Sequence, residues 1–261
     1  MKTRRAAASE ASRPSVLRRR AAAWLVAGAS LAGLAQAGEV QVAVAANFAG
    51  PMSKIGAAFG AATGHSLKVS SGATGKFYAQ VVAGAPFDVL LSADDETPKQ
   101  LIAAGHAVGG TNFTYAVGRL VLWSAQPGFV DDQGAVLSSD RITHVAIANP
   151  KLAPYGAAAV EVIRARGLTD LVRPKLVTGE SIAQAYQFAF TGNAQVAFVA
   201  LSQVVGGSYW LVPPDLYSPL RQDAVLLKAG ANNPAAAALL AYLKSDAATR
   251  VIRDHGYGLV L

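Results

Sequence analysis

Short apolar runs alternate with longer alanine-rich segments along this chain from Val40 onward. The short runs are rich in β-branched residues, which favour strands, and the longer segments repeat apolar residues with a helical period. Strands and helices that alternate in this way are typical of βαβ units, in which helices connect parallel strands. The sequence therefore predicts an α/β fold with mostly parallel sheets flanked by helices.

The ends of several predicted elements carry local signals. Two helices are expected to begin with a capping residue followed by proline, at Thr97-Pro98 and Asn233-Pro234. Five are expected to end at a glycine, namely Gly64, Gly84, Gly105, Gly167 and Gly192. The predicted strands are 40–45, 66–70, 87–91, 119–123, 144–148, 175–177, 195–199 and 223–227. The predicted helices are 51–62, 75–83, 98–104, 155–166, 182–190, 234–244 and 246–255.

Two extended segments, 114–124 and 220–227, are predicted to carry the chain between two lobes and to act as a hinge. Residues 38–116 together with 225–261 would form the first lobe, and residues 117–224 the second. Ligands of open α/β sheets bind beyond the carboxyl ends of the strands. A cleft between the two lobes is therefore the expected binding site.

Residues 1–37 are predicted to be a signal peptide. Their basic N-terminal part is followed by an uncharged stretch, 21–35, and by the small-x-small site Ala35-Gln36-Ala37. We expect export to the periplasm and cleavage after Ala37, since a membrane-spanning helix needs roughly 20 apolar residues. The leader holds 7 of the 23 basic residues, so the remaining chain is close to neutral. Nucleic-acid binding thereby loses its main electrostatic support.

Several catalytic and metal sites are disfavoured by the residues present. The chain has no cysteine, and its four histidines are too widely separated for a helical zinc site. Asp94-Asp95-Glu96 is interpreted as the acidic start of a helix. Ser181 is interpreted as a helix cap, because Ala183 stands where the nucleophile motif of hydrolases requires glycine. An exported hydrolase that uses Ser181 remains an alternative from another functional class.

Four junctions join an apolar run to a helical pattern through small or polar residues: 46–48, 70–75, 149–156 and 179–182. A helix that begins in this way presents unpaired N–H groups and the positive end of its dipole. Four such ends predict a site for an anion held by neutral donors. A fully ionised tetrahedral oxyanion only accepts hydrogen bonds, which suits such donors. Glu180 is the one acidic residue near a junction tip, and we expect it to face solvent.

After the leader, the sequence resembles the periplasmic molybdate-binding proteins of ABC importers. The matching stretches are 45–48, 70–80, 84–89, 92–94 and 149–156. The resemblance implies a type II periplasmic binding-protein fold, with two α/β lobes that close on the ligand. It also implies that Ala46 and Ile182 bind the oxyanion through main-chain N–H groups, Asn47 and Thr74 with added side-chain donors, and Tyr155 through its phenol. Ala200 stands where one branch of the family has a ligand-contacting tyrosine.

The function implied by this resemblance is transport. The exported protein would capture molybdate, and tungstate as well, and deliver it to an ABC permease in the inner membrane. It would be a monomer without enzymatic activity or cofactor, and its only metal would be that of the bound oxyanion. The alternative within the same class is a binder of sulfate, thiosulfate or another tetrahedral oxyanion.

Overall fold

The computed structural model describes residues 37–259, which form two five-stranded sheets flanked by helices. Nearly all of the predicted signal peptide lies outside the described residues. In chain order the strands are β1 (Glu39–Ala45), β2 (Ser66–Gly72), β3 (Val89–Leu91), β4 (Phe113–Gly118), β5 (Leu120–Ser124), β6 (Val145–Ala148), β7 (Leu176–Gly179), β8 (Val196–Ala200), β9 (Ser208–Leu211) and β10 (Leu220–Leu226). The α-helices are α1 (Ala49–Thr63), α2 (Thr74–Val82), α3 (Glu96–Ala103), α4 (Pro154–Ala165), α5 (Thr169–Val172), α6 (Ile182–Phe190), α7 (Pro234–Tyr242) and α8 (Asp246–Asp254).

The two sheets define two lobes with the same strand arrangement. The first sheet has the order β2-β1-β3-β10-β4 and the second the order β7-β6-β8-β5-β9. In each sheet the first three strands are parallel. The fourth, β10 or β5, runs antiparallel to both of its neighbours. The predicted α/β fold with mostly parallel sheets is therefore confirmed, with one reversed strand in each lobe.

The chain passes between the sheets twice, at Arg119 and over residues 212–219. Segment 114–124, predicted as one extended crossing, is two strands: β4 pairs in the first sheet and β5 in the second. The predicted lobe boundaries, 116/117 and 224/225, fall inside β4 and β10, which both belong to the first sheet. Strand β9 was not predicted, since it has only four residues and follows Gly206-Gly207.

Most of the helix termini predicted from caps and glycines are confirmed. Asn233 caps α7 by accepting a hydrogen bond from the Ala235 N–H (3.0 Å). The five glycines predicted at helix ends all have positive φ. The prediction at Thr97-Pro98 is wrong, because α3 begins at Glu96. There the carboxylate of Asp94 accepts from the N–H and the hydroxyl of Thr97, at 2.9 and 3.1 Å, so the acidic run supplies the cap.

Apolar packing continues from one lobe to the other. One buried cluster contains Ala45, Ala46 and Ala73 of the first lobe together with Tyr155 and Ile182 of the second. The lobes are thus in contact at the carboxyl ends of their strands, where the sequence placed the site. No helix between residues 37 and 259 is both long and apolar enough to cross a membrane.

Candidate functional site

A small cavity lies between the lobes where the strands end, and we call it the interlobe cavity. Its volume is only about 10 Å³. None of the described side chains that line it is charged. The lining residues, which include all five predicted site residues, are Ala45, Ala46, Asn47, Gly72, Ala73, Thr74, Ala93, Ala153, Pro154, Tyr155 and Ile182.

The five predicted residues stand at the beginnings of helical turns. Ala46 and Asn47 open a short 3₁₀ turn after β1, Thr74 and Ile182 open α2 and α6, and Tyr155 is the second residue of α4. The first N–H groups of a helix have no partner within that helix. Within residues 37–259, the N–H groups of these five residues donate to no other protein group. They are neutral donors, and the positive ends of the helix dipoles lie beside them.

Close backbone approach fixes the second-lobe junction that carries Tyr155. A Cβ atom on Gly156 would collide with the carbonyl oxygen of Ala148, the last residue of β6. Glycine therefore lets the first turn of α4 lie directly on the end of the strand. This contact brings the start of α4, and with it Tyr155, to the interlobe cavity.

The side chain of Asn47 is engaged within the protein. Its Nδ2 donates to Gln222 Oε1 (2.8 Å) and to the Tyr257 hydroxyl (3.0 Å). Both hydrogens of the amide nitrogen are therefore used, and the Asn47 donor left for an anion is the main-chain N–H. The carbonyl oxygen of Asn47 accepts from the hydroxyls of Ser202 and Tyr257, both at 2.8 Å. The side-chain donor expected from Asn47 is thus replaced by a structural role.

Thr74 keeps a hydroxyl hydrogen available. Its Oγ1 accepts from the N–H of Ala93 at 3.0 Å, and the residue is only 2% exposed. A hydroxyl can donate one hydrogen bond while accepting another. The predicted side-chain donor at Thr74 is compatible with this geometry.

The phenol of Tyr155 is buried and accepts from Gln222 Nε2 at 3.0 Å. Burial raises the pKa of Tyr155 well above its ordinary value, and it does the same for Tyr115. The pKa of Tyr257 is raised by burial too. These hydroxyls therefore stay protonated at neutral pH and can act as donors.

Two further contacts connect the lobes near the cavity. The Gly75 N–H donates to the Leu152 carbonyl oxygen (2.8 Å), and Lys76 Nζ lies 2.9 Å from Glu180 Oε2. The side chain of Glu180 is 61% exposed, as predicted, and does not line the cavity. Sequence reasoning missed Gln222, Tyr257 and Ser202, because no local motif marks them.

The structure shows where the other residues considered in the sequence analysis lie. Ser181 caps α6, with its Oγ 3.4 Å from the Gln184 N–H, as interpreted. Asp94 is engaged in the cap of α3, and burial raises its pKa although hydrogen bonds from Thr97 and Ser92 oppose this. Residues 37–259 contain no group of three or more side chains arranged to hold a metal ion. Ala200 is fully buried at the end of β8 and does not line the cavity.

Comparison with known proteins agrees with this architecture. The family described as bacterial extracellular solute-binding protein matches residues 40–258. The chain belongs to this family. Among these solute-binding proteins, the molybdate-binding protein ModA of Azotobacter vinelandii is 60% identical over 235 residues, which are 88% of this chain and 93% of that protein. ModA of Rhodobacter capsulatus is 56% identical over 248 residues, covering 94% and 97% of the two chains.

A solved structure of the same class has the same fold. The periplasmic molybdate-binding protein of Azotobacter vinelandii superposes with a TM-score of 0.83 and 40% sequence identity, covering 85% of this chain and all of that one. The resemblance to molybdate-binding proteins and the two-lobed fold predicted from the sequence are therefore confirmed. The relatives are molybdate-binding proteins, and the family is one of solute-binding proteins.

Proposed function

We propose that this solute-binding protein captures molybdate, and tungstate as well, in the interlobe cavity. After export to the periplasm it delivers the oxyanion, as a monomer, to an ABC permease in the inner membrane. One observation carries the proposal: five residues whose main-chain N–H groups have no protein partner line one cavity without charged side chains. They stand at four helical starts in two lobes.

The chemistry of the lining favours a fully ionised tetrahedral anion. Molybdate and tungstate only accept hydrogen bonds at neutral pH, and each donor of the cavity can serve one oxygen. Phosphate carries a proton near pH 7 and needs an acceptor for it, and no carboxylate is among the lining residues. Helix N-termini stabilise negative charge without a fixed cation.

We expect discrimination against sulfate to come from the spacing of the donors around the cavity. The closed lobes leave little free volume, so the distances between opposite donors are fixed by protein packing. The bonds of molybdate and tungstate to oxygen are longer than those of sulfate. Sulfate would leave some donors without a close partner, and an unpaired buried donor costs free energy.

Isothermal titration calorimetry of the exported protein tests this proposal. Molybdate, tungstate, sulfate, thiosulfate and phosphate are titrated separately, and thermal unfolding is followed with each anion. Molybdate and tungstate should bind with one site per monomer and raise the melting temperature, because a ligand that binds only the native state stabilises it. Tighter binding of sulfate or thiosulfate would move the assignment to that anion. No heat with any oxyanion would contradict the proposal.

A further inference from the structure

Gln222 lies on β10 behind the interlobe cavity and does not line it. It is fully buried, and its carboxamide touches both halves of the site. Oε1 accepts from Asn47 Nδ2 (2.8 Å) in the first lobe, and Nε2 donates to the Tyr155 hydroxyl (3.0 Å) in the second. The Tyr115 hydroxyl lies 3.1 Å from the same Oε1. One buried side chain therefore joins two predicted ligand-binding residues that belong to different lobes.

We propose that Gln222 is a positioning residue for oxyanion binding. It holds the turn that carries Asn47, and it occupies the oxygen of Tyr155 so that the phenolic hydrogen is left for the ligand. This assignment rests on the proposed function, because it concerns the same cavity. It adds a residue outside the cavity that sets the direction of a donor inside it.

The direction of the hydrogen bonds around Gln222 follows from the main-chain carbonyl oxygen of Asn47, which can only accept. The main-chain carbonyl oxygen of Asn47 accepts from the Tyr257 hydroxyl, so the Tyr257 oxygen is free to accept from Asn47 Nδ2. The second hydrogen of that Nδ2 then requires an acceptor, which is Oε1 of Gln222. The amide nitrogen of Gln222 must consequently face Tyr155, and an amide nitrogen only donates.

The Tyr155 hydroxyl is therefore an acceptor in this network, and its own hydrogen is not used by Gln222. Tyr257 is the other hydroxyl close to Tyr155. Burial raises the pKa of Tyr257, and a hydrogen bond from Tyr155 opposes this rise. Without a ligand, the phenolic hydrogen of Tyr155 is therefore directed at the Tyr257 oxygen, which also accepts from Asn47. An oxyanion in the cavity offers a stronger acceptor, since hydrogen bonds to charged groups are about twice as strong as neutral ones.

Gly118, where the chain first passes between the lobes, leaves space for the contact between Gln222 and Tyr155. A Cβ atom on Gly118, the last residue of β4, would lie 2.6 Å from Gln222 Nε2 and would collide with the Tyr155 hydroxyl. The φ angle of Gly118 is not positive, so glycine is needed here for space. The contact between Gln222 and Tyr155 thus occupies the place where the chain first passes between the sheets.

The test uses a substitution that reverses one hydrogen bond and preserves the others. Gln222→Glu keeps an acceptor for Asn47 and Tyr115, but its second oxygen makes Tyr155 donate to it. The dissociation constant for molybdate is measured by calorimetry in the unsubstituted and Tyr155→Phe backgrounds. We expect Gln222→Glu to weaken binding by about 10- to 150-fold in the first background, the range for one hydrogen bond to a charged group, and by clearly less in the second.

A purely structural role would give a different pattern. In that case Gln222→Glu would lower the melting temperature and leave the dissociation constant unchanged, or would weaken binding equally in both backgrounds, and either result would overturn the assignment. Gln195→Glu is the matched control, because Gln195 binds Thr143 and His144 in the second lobe away from the cavity. It should leave the affinity unchanged.

A second variant keeps the test valid if Gln222→Glu does not fold. Gly118→Ala crowds the same contact and should weaken molybdate binding by about 5-fold or more. Gly50→Ala, where a Cβ atom meets open space, is its control. If the unsubstituted protein binds molybdate and Gly118→Ala binds it with the same affinity, the assignment is refuted. If the unsubstituted protein binds no oxyanion, the proposed function itself fails, which is a distinct result.

Discussion

The two lobes contribute equivalent strand–helix junctions to the cavity, but different contacts hold these junctions in place. By position in their sheets, β1 corresponds to β6 and β2 to β7. The helical turns that follow these four strands supply all five unpaired N–H groups. Each lobe therefore contributes one junction from an edge strand and one from the strand beside it.

The difference lies in what holds the junctions. In the first lobe, the Asn47 side chain is bound by Gln222 and Tyr257, and Thr74 by Ala93, all within that lobe. The Asn47 carbonyl oxygen also accepts from the Ser202 hydroxyl of the second lobe. In the second lobe, the Tyr155 hydroxyl and the Leu152 carbonyl have their partners in the first lobe, Gln222 and Gly75. The first lobe thus arranges most of its half-site in advance through its own contacts. The second half-site is completed by contact between the lobes, and we therefore expect ligand affinity to include the free energy of closure.

The largest effect is expected from charge in the prearranged half-site. Asn47→Asp places a carboxylate against an incoming dianion, and two unit charges 4 Å apart repel by about 4 kcal/mol at an effective dielectric constant of 20. Molybdate binding should weaken by about a thousandfold at neutral pH, as measured by calorimetry. Asn149→Asp is the matched control, because Asn149 Oδ1 accepts from the Lys151 N–H and a carboxylate can do the same. Equal losses in both variants would contradict the difference between the junctions.

The next effect concerns the half-site that depends on closure. Tyr155→Phe should weaken molybdate binding by about 1.5 to 3 kcal/mol, the value of a hydrogen bond to a charged group. Because Tyr155 bonds across the cleft, we expect most of this loss as faster ligand release, measured by stopped-flow competition with excess tungstate. An unchanged dissociation constant would remove Tyr155 from the site. A slower association with unchanged release would show that Tyr155 acts before the lobes close.

Thr74 tests the first half-site without adding charge. Thr74→Val removes the acceptor of the buried Ala93 N–H, and an unsatisfied buried donor costs about 1 to 3 kcal/mol. The unliganded protein should lose this amount in urea unfolding. Tyr155→Phe should cost less in the unliganded protein, because separation of the lobes gives water access to the Gln222 amide that loses its acceptor. Thr74→Ser, which keeps the hydroxyl, should behave like the unsubstituted protein. Equal stability of the valine and serine variants would mean that the first half-site is not held in advance.

The sequence predicted the junctions because their signals are local. Asn47, Thr74 and Tyr155 stand directly beside predicted strand ends and helix starts, where small residues and caps are readable from a few neighbours. Their convergence on one cavity follows from the parallel sheets, whose strands end on the same side. The resemblance to a known family then selected these residues among other plausible helix caps.

The supporting residues could not be predicted in the same way. Gln222 and Tyr257 lie 175 and 210 residues from Asn47 in sequence, and the chain folds back through both lobes before they meet. Gln222 is flanked by Arg221 and Asp223, so no apolar pattern marks it as buried. The position of the crossings was also inexact, because one extended segment, 114–124, contains two strands that pair in different sheets.

The smallest effect concerns the ion pair of Lys76 and Glu180, which joins the lobes at the surface. Both side chains are about half exposed, and an exposed pair contributes about 0.2 to 1 kcal/mol. A double-mutant cycle with Lys76→Met and Glu180→Gln, measured on the rate of molybdate release, should give a coupling of this size that shrinks in high salt. The pair of Lys99 and Asp95 has similar geometry inside the first lobe, so its cycle should give no coupling in release. If both cycles gave the same coupling, release would not depend on contacts between the lobes, and the distinction between the two half-sites would fail.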